Sequence, residues 1–266
     1  MASELALLSV EGLSKSFGDL KAVQNVTFNV DSGKIVSIIG PNGAGKSTLL
    51  NLITRVLAPT KGKVSFINQD IISMKTKDLV KVGISRTFQS VRLFHVNEMN
   101  VLENILVGFH HQYNHSMLAS CFRFGRTRKN EAEMLERAYE IMEMVGISHF
   151  AQTPVKELAF GNQRLVELGR ALAADPRLLI LDEPAAGLND VETEQFSKLI
   201  KKINQAGVSI LLVEHHMGLV MDISDKIVVL NYGEKIAEGR PYEVQNNPAV
   251  IEAYLGKEAE TANVGN

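Results

Sequence analysis

The segment GPNGAGKST at 40–48 constrains the fold of this chain more than any other stretch. It satisfies the pattern G-x-x-x-x-G-K-[ST], whose glycines let the backbone turn so that successive N–H groups face phosphate oxygens. The apolar run IVSII at 35–39 precedes it, and STLLNLI at 47–53 follows with helical spacing. We therefore predict a loop that joins a buried strand to a helix, whose N-terminus attracts a bound phosphate.

Every residue of this loop is a candidate for binding phosphate. Lys46 can reach the β- and γ-phosphates of a nucleoside triphosphate, Ser47 can offer its hydroxyl to Mg²⁺, and Thr48 can add a phosphate contact. The pattern predicts a nucleoside triphosphate and Mg²⁺ as ligands but leaves the reaction open, because kinases, GTPases, helicases and transport ATPases all use such a loop. The remaining motifs of the chain favour ATP. The alternative is a glycine-rich turn with a chance lysine. The predicted phosphate-binding residues are Gly40, Pro41, Asn42, Gly43, Ala44, Gly45, Lys46, Ser47 and Thr48.

The composition is that of a globular protein. With 266 residues, 45% of them apolar, the chain can form one large domain or two small ones. Its formal net charge of −2 argues against a sequence-independent nucleic-acid binder. The single cysteine, Cys121, cannot form an internal disulfide and is interpreted as a small apolar filler. Because neither a signal peptide nor an apolar run near the roughly 20 residues of a membrane helix is evident, we expect membrane contact only through partners.

Short apolar runs alternate with helical patterns, which favours an α/β fold whose sheet has a parallel core. The stretch from about 97 to 154 carries helical patterns only, which predicts an inserted helical subdomain. Tyr232-Gly233 predicts the turn of a hairpin over 231–239. The predicted strands are 7–10, 26–30, 35–39, 178–181, 209–213 and 226–230, and the predicted helices are 46–56, 128–145, 162–174 and 191–206.

These patterns predict a single domain over 1–256. Its α/β core is assigned to 1–90 and 156–240 and its helical subdomain to 91–155. A C-terminal helical extension is assigned to 241–256. The polar tail at 257–266 is predicted to be disordered.

Two carboxylates follow the apolar strand in RLLILDEP at 177–184. Asp182 lies where phosphate-loop enzymes need a carboxylate to help hold Mg²⁺. Glu183, one residue later, lies where a general base could polarise an attacking water. The alternative is a strand that ends in an acidic turn before Pro184.

The segment LAFGNQRLVELGRALAADP at 158–176 resembles the signature motif of ATP-binding cassette proteins, LSGGQ followed by a helix containing RAL. Ala159 departs from the usual serine, and Asn162 falls at a Gly/Gln-type position. The resemblance implies that this motif contacts ATP bound to an opposing subunit, with hydrolysis weakened by the missing serine hydroxyl. The implied contact residues are Leu158, Ala159, Phe160, Gly161, Asn162 and Gln163.

Other elements of this family occur in the expected order, and their roles are implied by the resemblance. Phe17 resembles the aromatic residue that stacks on adenine, although a core phenylalanine is the alternative. Gln89 resembles the glutamine that senses Mg²⁺ and the attacking water. His215, rather than His216, resembles the histidine that contacts the γ-phosphate. Asn189 replaces the usual aspartate of the inter-subunit loop, a departure predicted to alter communication between the two nucleotide sites.

The resemblance spans about residues 8–255 and implies a phosphate-loop ATPase core with a mixed sheet and an N-terminal antiparallel β region. Three segments, at 86–108, 181–189 and 246–256, look like the larger ATPase of branched-chain amino acid importers. That resemblance implies a peripheral protein at the cytoplasmic face of the inner membrane. The implied partners are a second ATPase subunit, two membrane permease subunits and an extracytoplasmic solute-binding protein, with no nucleic acid. Val91, Leu93 and Phe94 are candidates for the groove that receives the permease, if they are exposed.

Several alternatives stay open. An ATPase for urea or another solute, or for lipopolysaccharide export, uses the same motifs. A soluble cassette ATPase that acts on ribosomes or DNA, and a phosphate-loop kinase, are further alternatives. His110, His111 and His115 could in principle bind a metal, but such a site needs convergent geometry, and we interpret them as a solvated loop.

Overall fold

A computed structural model describes residues 6–94, 98–111 and 124–254, with side chains omitted at 111 and 124–131. Two sheets organise these residues. The first sheet is antiparallel, with strand order β2-β1-β4-β5. Its strands are β1 (Ala6–Phe17), β2 (Leu20–Asp31), β4 (Lys61–Phe66) and β5 (Gln69–Asp70). This sheet corresponds to the predicted N-terminal antiparallel region.

The second sheet has six strands in the order β10-β9-β3-β8-β7-β6. All neighbours pair in parallel except β9 and β10, which form an antiparallel hairpin. The structure therefore confirms the predicted α/β fold with a mixed sheet and a parallel core. The strands are β3 (Ile35–Ile39), β6 (Ile84–Arg86), β7 (Leu178–Asp182), β8 (Ser209–Val213), β9 (Lys226–Asn231) and β10 (Glu234–Gly239).

α-Helices lie between and after these strands. They are α1 (Lys46–Ile53), α2 (Val101–Gly108), α3 (Phe124–Val145), α4 (Phe160–Leu172), α5 (Asp190–Gln205), α6 (Met217–Ile223) and α7 (Pro241–Gln245). Short 3₁₀ turns cover Thr76–Val82, Phe109–His111, Ser148–Phe150 and Val155–Glu157. The backbone is helical again over 248–254.

The central strands β3, β7 and β8 are almost wholly apolar, because both of their faces pack against hydrophobic clusters. Along β7, Leu178 and Ile180 belong to one hydrophobic cluster, and Leu179 and Leu181 belong to another. This alternation is the two-residue period of a strand with both faces covered. One cluster packs α1 and the antiparallel sheet against the central sheet, while the other continues into α2 and α3 of the helical region.

Most predicted elements are present, with shifted ends. Helix α1 stops at Ile53 rather than at 56, because Arg55 adopts a left-handed backbone conformation with φ +58°. The hairpin turn at Tyr232-Gly233 is confirmed, with positive φ at both residues. Strands β4 and β6 were not predicted, since β4 begins with three exposed residues and β6 is only three residues long.

Between 91 and 155, the described residues include no strand and only one isolated bridge, Asn100 to Pro154. The division into core, helical subdomain and C-terminal extension stays a prediction. Cys121, His115 and the tail at 257–266 lie outside the described residues.

Candidate nucleotide site

The phosphate loop connects the buried strand β3 to helix α1, as its pattern predicts. Close backbone contacts explain two of its glycines. A Cβ atom on Gly40 would lie 2.1 Å from the carbonyl oxygen of Leu230, and one on Gly45 would lie 2.5 Å from that of Ala22. Both glycines also have positive φ. Any larger residue at these two positions would clash with the neighbouring backbone. The loop is therefore held in its shape by close packing against the segments that contain Leu230 and Ala22.

Lys46 is buried at the start of α1, and its Nζ donates to the carbonyl oxygens of Gly40 (2.6 Å) and Pro41 (3.1 Å). The ammonium group is therefore held over its own loop, where it can meet phosphate oxygens. A cavity of about 490 Å³ lies over this loop. Its lining residues are Leu20, Lys21, Ala22, Asn42, Gly43, Ala44, Gly45, Lys46, Ser47, Thr48, Glu183, Tyr232 and Gly233.

Phe17 lies at the end of β1 with 48% of its surface exposed, so the alternative of a core phenylalanine is wrong. Lys15 Nζ lies 5.1 Å from the centre of its ring. Phe17 is not among the residues that line the cavity over the phosphate loop, whereas Leu20 and Tyr232, which the sequence pattern did not single out, are.

Asp182 is buried at the end of β7, where it pairs with Arg86. Arg86 Nη2 donates to Asp182 Oδ2 at 2.8 Å, and its Nη1 donates to Asn51 Oδ1 (2.8 Å) and Thr54 Oγ1 (2.7 Å). The other carboxylate oxygen, Asp182 Oδ1, is buried without a hydrogen-bond partner among the described residues. A buried carboxylate oxygen of this kind suits a cation or a cation-bound water as its partner.

Glu183 and Gln89, which are separated by 94 positions, meet at the site: Gln89 Nε2 donates to Glu183 Oε2 at 2.8 Å. Glu183 leaves the strand through a left-handed backbone conformation with φ +48°, while its N–H donates to the carbonyl of Val213 at 2.9 Å. This conformation is uncommon for a non-glycine residue, and such residues concentrate at functional sites. Glu183 also lines the cavity over the phosphate loop.

The two histidines after β8 have different environments. The side chain of His215 is 59% exposed. His216 Nδ1 instead accepts the N–H of Leu219 at 3.1 Å and caps α6. The structure thus gives His216 a structural role as a helix cap, and the assignment of His215 as the phosphate contact stays a prediction.

The signature residues start helix α4, and only some of them are accessible. Leu158 is buried in the core, and Gln163 Nε2 turns back to donate to the Leu158 carbonyl at 3.0 Å. Ala159 and Phe160 are exposed. Gly161 and Asn162 line a separate cavity of about 440 Å³ that shares no lining residue with the phosphate-loop cavity. The structure of one chain therefore does not bring the signature to the phosphate loop.

Two arginines of α4 hold the segment that carries Gln89. Arg170 belongs to the RAL sequence that follows the signature, whereas Arg164 was not singled out by the sequence pattern. Arg164 Nη2 donates to the carbonyls of Gln89 (3.0 Å) and Ala186 (3.2 Å). Arg170 Nη2 donates to the carbonyl of Arg92. Burial lowers the pKa of both guanidinium groups. The sequence signal that could have identified Arg164 is a charged residue on the buried face of an amphipathic helix, because a buried charge must have hydrogen-bond or ionic partners.

A family model for ABC transporters matches residues 23–186, which is more than half of the chain. The chain belongs to the ABC transporter family. A second model, for branched-chain amino acid ATP-binding cassette transporters, matches residues 234–260 of the cassette. As a member of the family, the protein is an ATPase that binds ATP.

Relatives and solved structures agree with this membership. The cassette is 43% identical over 252 residues to the high-affinity branched-chain amino acid transport ATP-binding protein BraF of Pseudomonas aeruginosa, covering 94% of this chain and 98% of BraF. It resembles the crystal structure of the ADP conformation of an ATP-binding cassette of an ABC transporter, with TM-score 0.82 and 37% identity, covering 95% of this chain and 99% of the other. A dimeric post-hydrolysis cassette bound to ADP and phosphate matches with TM-score 0.73 and 28% identity, covering 88% and 98%.

Asn189 caps helix α5 of the cassette. Its Oδ1 accepts the N–H of Glu192 at 2.9 Å, and its own N–H donates to Glu192 Oε2 at 2.9 Å. This reciprocal pair is a capping box. Aspartate caps a helix equally well, so the departure from the usual aspartate preserves the local structure. Its effect on communication between nucleotide sites stays a prediction.

Replacing Asn189 by alanine removes the cap and is expected to destabilise the cassette by about 1 kcal/mol. For a chain of this size that corresponds to a fall in Tm of about 2–4 °C. Thermal unfolding followed by circular dichroism measures it, with Asn189→Asp as the matched control that keeps the acceptor and the Tm. An unchanged Tm in the alanine variant would show that the cap contributes nothing.

Of the three candidates for a permease groove, only Phe94 is well exposed. Leu93 is only 9% exposed and belongs to the core, so the condition of exposure is not met, although it contributes to the wall of the groove beside Phe94. Val91 is partly buried and packs against the same core. The Arg170 guanidinium lies 5.2 Å from the centre of the Phe94 ring. Phe94 borders a groove of about 570 Å³ whose lining includes Phe88, Arg92, Val107 and Arg170.

His110 is exposed, while the side chain of His111 and all of His115 lie outside what the structure describes. Within the described residues, no group of three or more His, Cys, Asp or Glu side chains is placed to hold a metal ion. None of the helices in that same part of the chain is long and apolar enough to cross a membrane.

Proposed function

We propose that this cassette powers the import of branched-chain amino acids through separate permease subunits, from the cytoplasmic face of the inner membrane. The observation that carries the solute class is the match of residues 234–260 to the branched-chain amino acid cassette model. BraF, whose name states the same role, supports it across nearly the whole chain. Two permease subunits and an extracytoplasmic solute-binding protein are the proposed partners.

Binding of ATP is assigned to the cavity over the phosphate loop. The loop N–H groups and the Lys46 ammonium face the phosphates, and exposed Phe17 supplies a ring on which adenine can stack. Ser47, Gln89 and Asp182 are the residues that would hold Mg²⁺, which neutralises charge on the β- and γ-phosphate oxygens when bound. The unpartnered buried oxygen of Asp182 fits this role.

Hydrolysis is assigned to Glu183, His215 and Gln89. Glu183 accepts a proton from the water that attacks the γ-phosphorus, as the bond from that phosphorus to the leaving ADP oxygen breaks. The hydrogen bond from Gln89 holds the Glu183 carboxylate in one orientation. His215 is exposed and can donate to a γ-phosphate oxygen.

Two ATPase subunits are proposed to face each other head to tail, so that the signature of each meets the phosphate loop of the other. The separate cavities that carry these two motifs in one chain support this arrangement. The dimeric cassette with bound ADP and phosphate also supports it. ATP then bridges the subunits, and its hydrolysis releases an interface that the ligand had stabilised.

The test is ATPase measurement in liposomes that contain the complex purified with its native partners. We expect solute-binding protein loaded with leucine, isoleucine or valine to raise ATP hydrolysis and to drive uptake of the same amino acid. Binding protein without solute, and binding protein offered urea, are the controls. If only urea stimulated hydrolysis, the transported solute would be urea and not a branched-chain amino acid. Absence of hydrolysis under every condition would contradict the proposed function itself.

A further inference from the structure

Glu214 is a fully buried carboxylate that directly follows the last residue of β8. It lies one residue before His215, and none of the roles described above uses it. A charged side chain in such a place must be compensated by hydrogen bonds, because burial removes its hydration. The partners of Glu214 therefore indicate what it contributes.

Three backbone N–H groups from two loops donate to this carboxylate. Oε1 accepts the N–H of Ala185 at 2.7 Å. Oε2 accepts the N–H groups of His215 (2.9 Å) and His216 (3.1 Å). Each oxygen thus holds a different loop. A glutamine at this position could satisfy only one loop, because its NH₂ group has no lone pair to accept from the other.

The two loops are those that carry the proposed catalytic groups. Ala185 lies two residues after Glu183, and the next carbonyl, that of Ala186, accepts from Arg164 on the signature helix. On the other side, His215 Nδ1 lies 3.9 Å from Glu214 Oε2, too far for a hydrogen bond to orient its ring, so the backbone contact does the positioning.

We propose that Glu214 is a positioning residue for ATP hydrolysis, which fixes the loop of Glu183 and the loop of His215 relative to each other. The inference rests on the proposed roles of those two residues. A displacement of reacting groups by about 1 Å can cost about 10²-fold in rate, so a single carboxylate that spans both loops has a large influence on turnover. Glu214 is fully buried and does not line the cavity over the phosphate loop, so we expect it to act through the two loops rather than by contact with ATP.

The experiment compares Glu214→Gln with wild type in the complex purified with its native partners. We expect kcat to fall about 10- to 100-fold, while KM and the Kd for ATP stay within about twofold. Hydrogen exchange of the full chain, followed by mass spectrometry, should become faster in peptides covering 183–190 and 213–219 and stay unchanged over the phosphate loop. The control is Glu243→Gln, which alters a carboxylate that accepts the backbone N–H of Arg240 and does not line the cavity over the phosphate loop.

A second variant, Glu214→Asp, keeps the negative charge, but its side chain is one methylene shorter and cannot reach both loops. It is used in the same assays if Glu214→Gln does not fold. Turnover of a folded variant within about twofold of wild type would overturn the proposal. So would a loss of ATP affinity in parallel with kcat, or failure of both variants to fold, since either outcome makes Glu214 a purely structural residue. Absence of hydrolysis in the wild-type complex would instead contradict the proposed function.

Discussion

Replacing Glu183 by glutamine is expected to lower ATP turnover by about 10²-fold or more while ATP binding is retained. The amide has almost the same shape as the carboxylate, and its oxygen can still accept the hydrogen bond that Gln89 donates at 2.8 Å. What the variant loses is the ability to take a proton from the attacking water. Steady-state hydrolysis by the complex with its native partner, together with ATP affinity measured by calorimetry, separates the two effects.

The matched control is Glu252→Gln, which removes an exposed carboxylate on the C-terminal helical segment and should change neither quantity. Wild-type turnover in Glu183→Gln would mean that another group accepts the proton. A parallel loss of ATP affinity would mean that Glu183 contributes to binding rather than to the chemical step.

The second large effect is expected at Lys46. Its replacement by methionine keeps most of the buried stem but removes the ammonium group, and we expect the Kd for ATP to rise about 10- to 100-fold. The reason is the position of Nζ, which already lies within hydrogen-bond distance of the loop carbonyls of Gly40 and Pro41. Titration of the full chain with ATP in the presence of Mg²⁺ measures the change.

Lys63→Met serves as the control, because Lys63 is exposed on β4 and is not among the residues lining the nucleotide cavity. Since Lys46 also supports its own loop, thermal unfolding of both variants has to accompany the titration. A folded Lys46→Met variant that binds ATP as tightly as wild type would contradict the assignment of this cavity to nucleotide phosphates.

The phosphate loop, the buried parallel strands and the hairpin at Tyr232-Gly233 could all be predicted because each depends on neighbouring residues. Glycine spacing, apolar runs and positive-φ turn residues are local signals. Strand β6 and the true end of α1 could not be predicted in the same way. Three residues carry too little periodicity to identify a strand, and the helix ends where Arg55 turns into a left-handed conformation.

The candidate site shows the same division. Lys46, Asp182, Glu183 and His215 stand in recognisable motifs, so the sequence was enough to nominate them. Arg86 and Glu214 lie inside segments that resemble the family, but no role was predicted for either. Arg86 ends β6, and Glu214 directly follows β8. Their importance appears only when Asp182 is found against Arg86, and when Ala185 is found against Glu214.

By itself, then, the sequence determined that this chain forms a phosphate-binding loop between a buried strand and a helix, and that a carboxylate pair follows a second buried strand. Those features depend on residues adjacent in the chain. Only the tertiary structure decided that Gln89 reaches Glu183, that Leu93 is core, and that the signature and the phosphate loop occupy separate cavities. The physical reason is that buried charges and accessible surfaces are defined by contacts between distant segments, which no local pattern specifies.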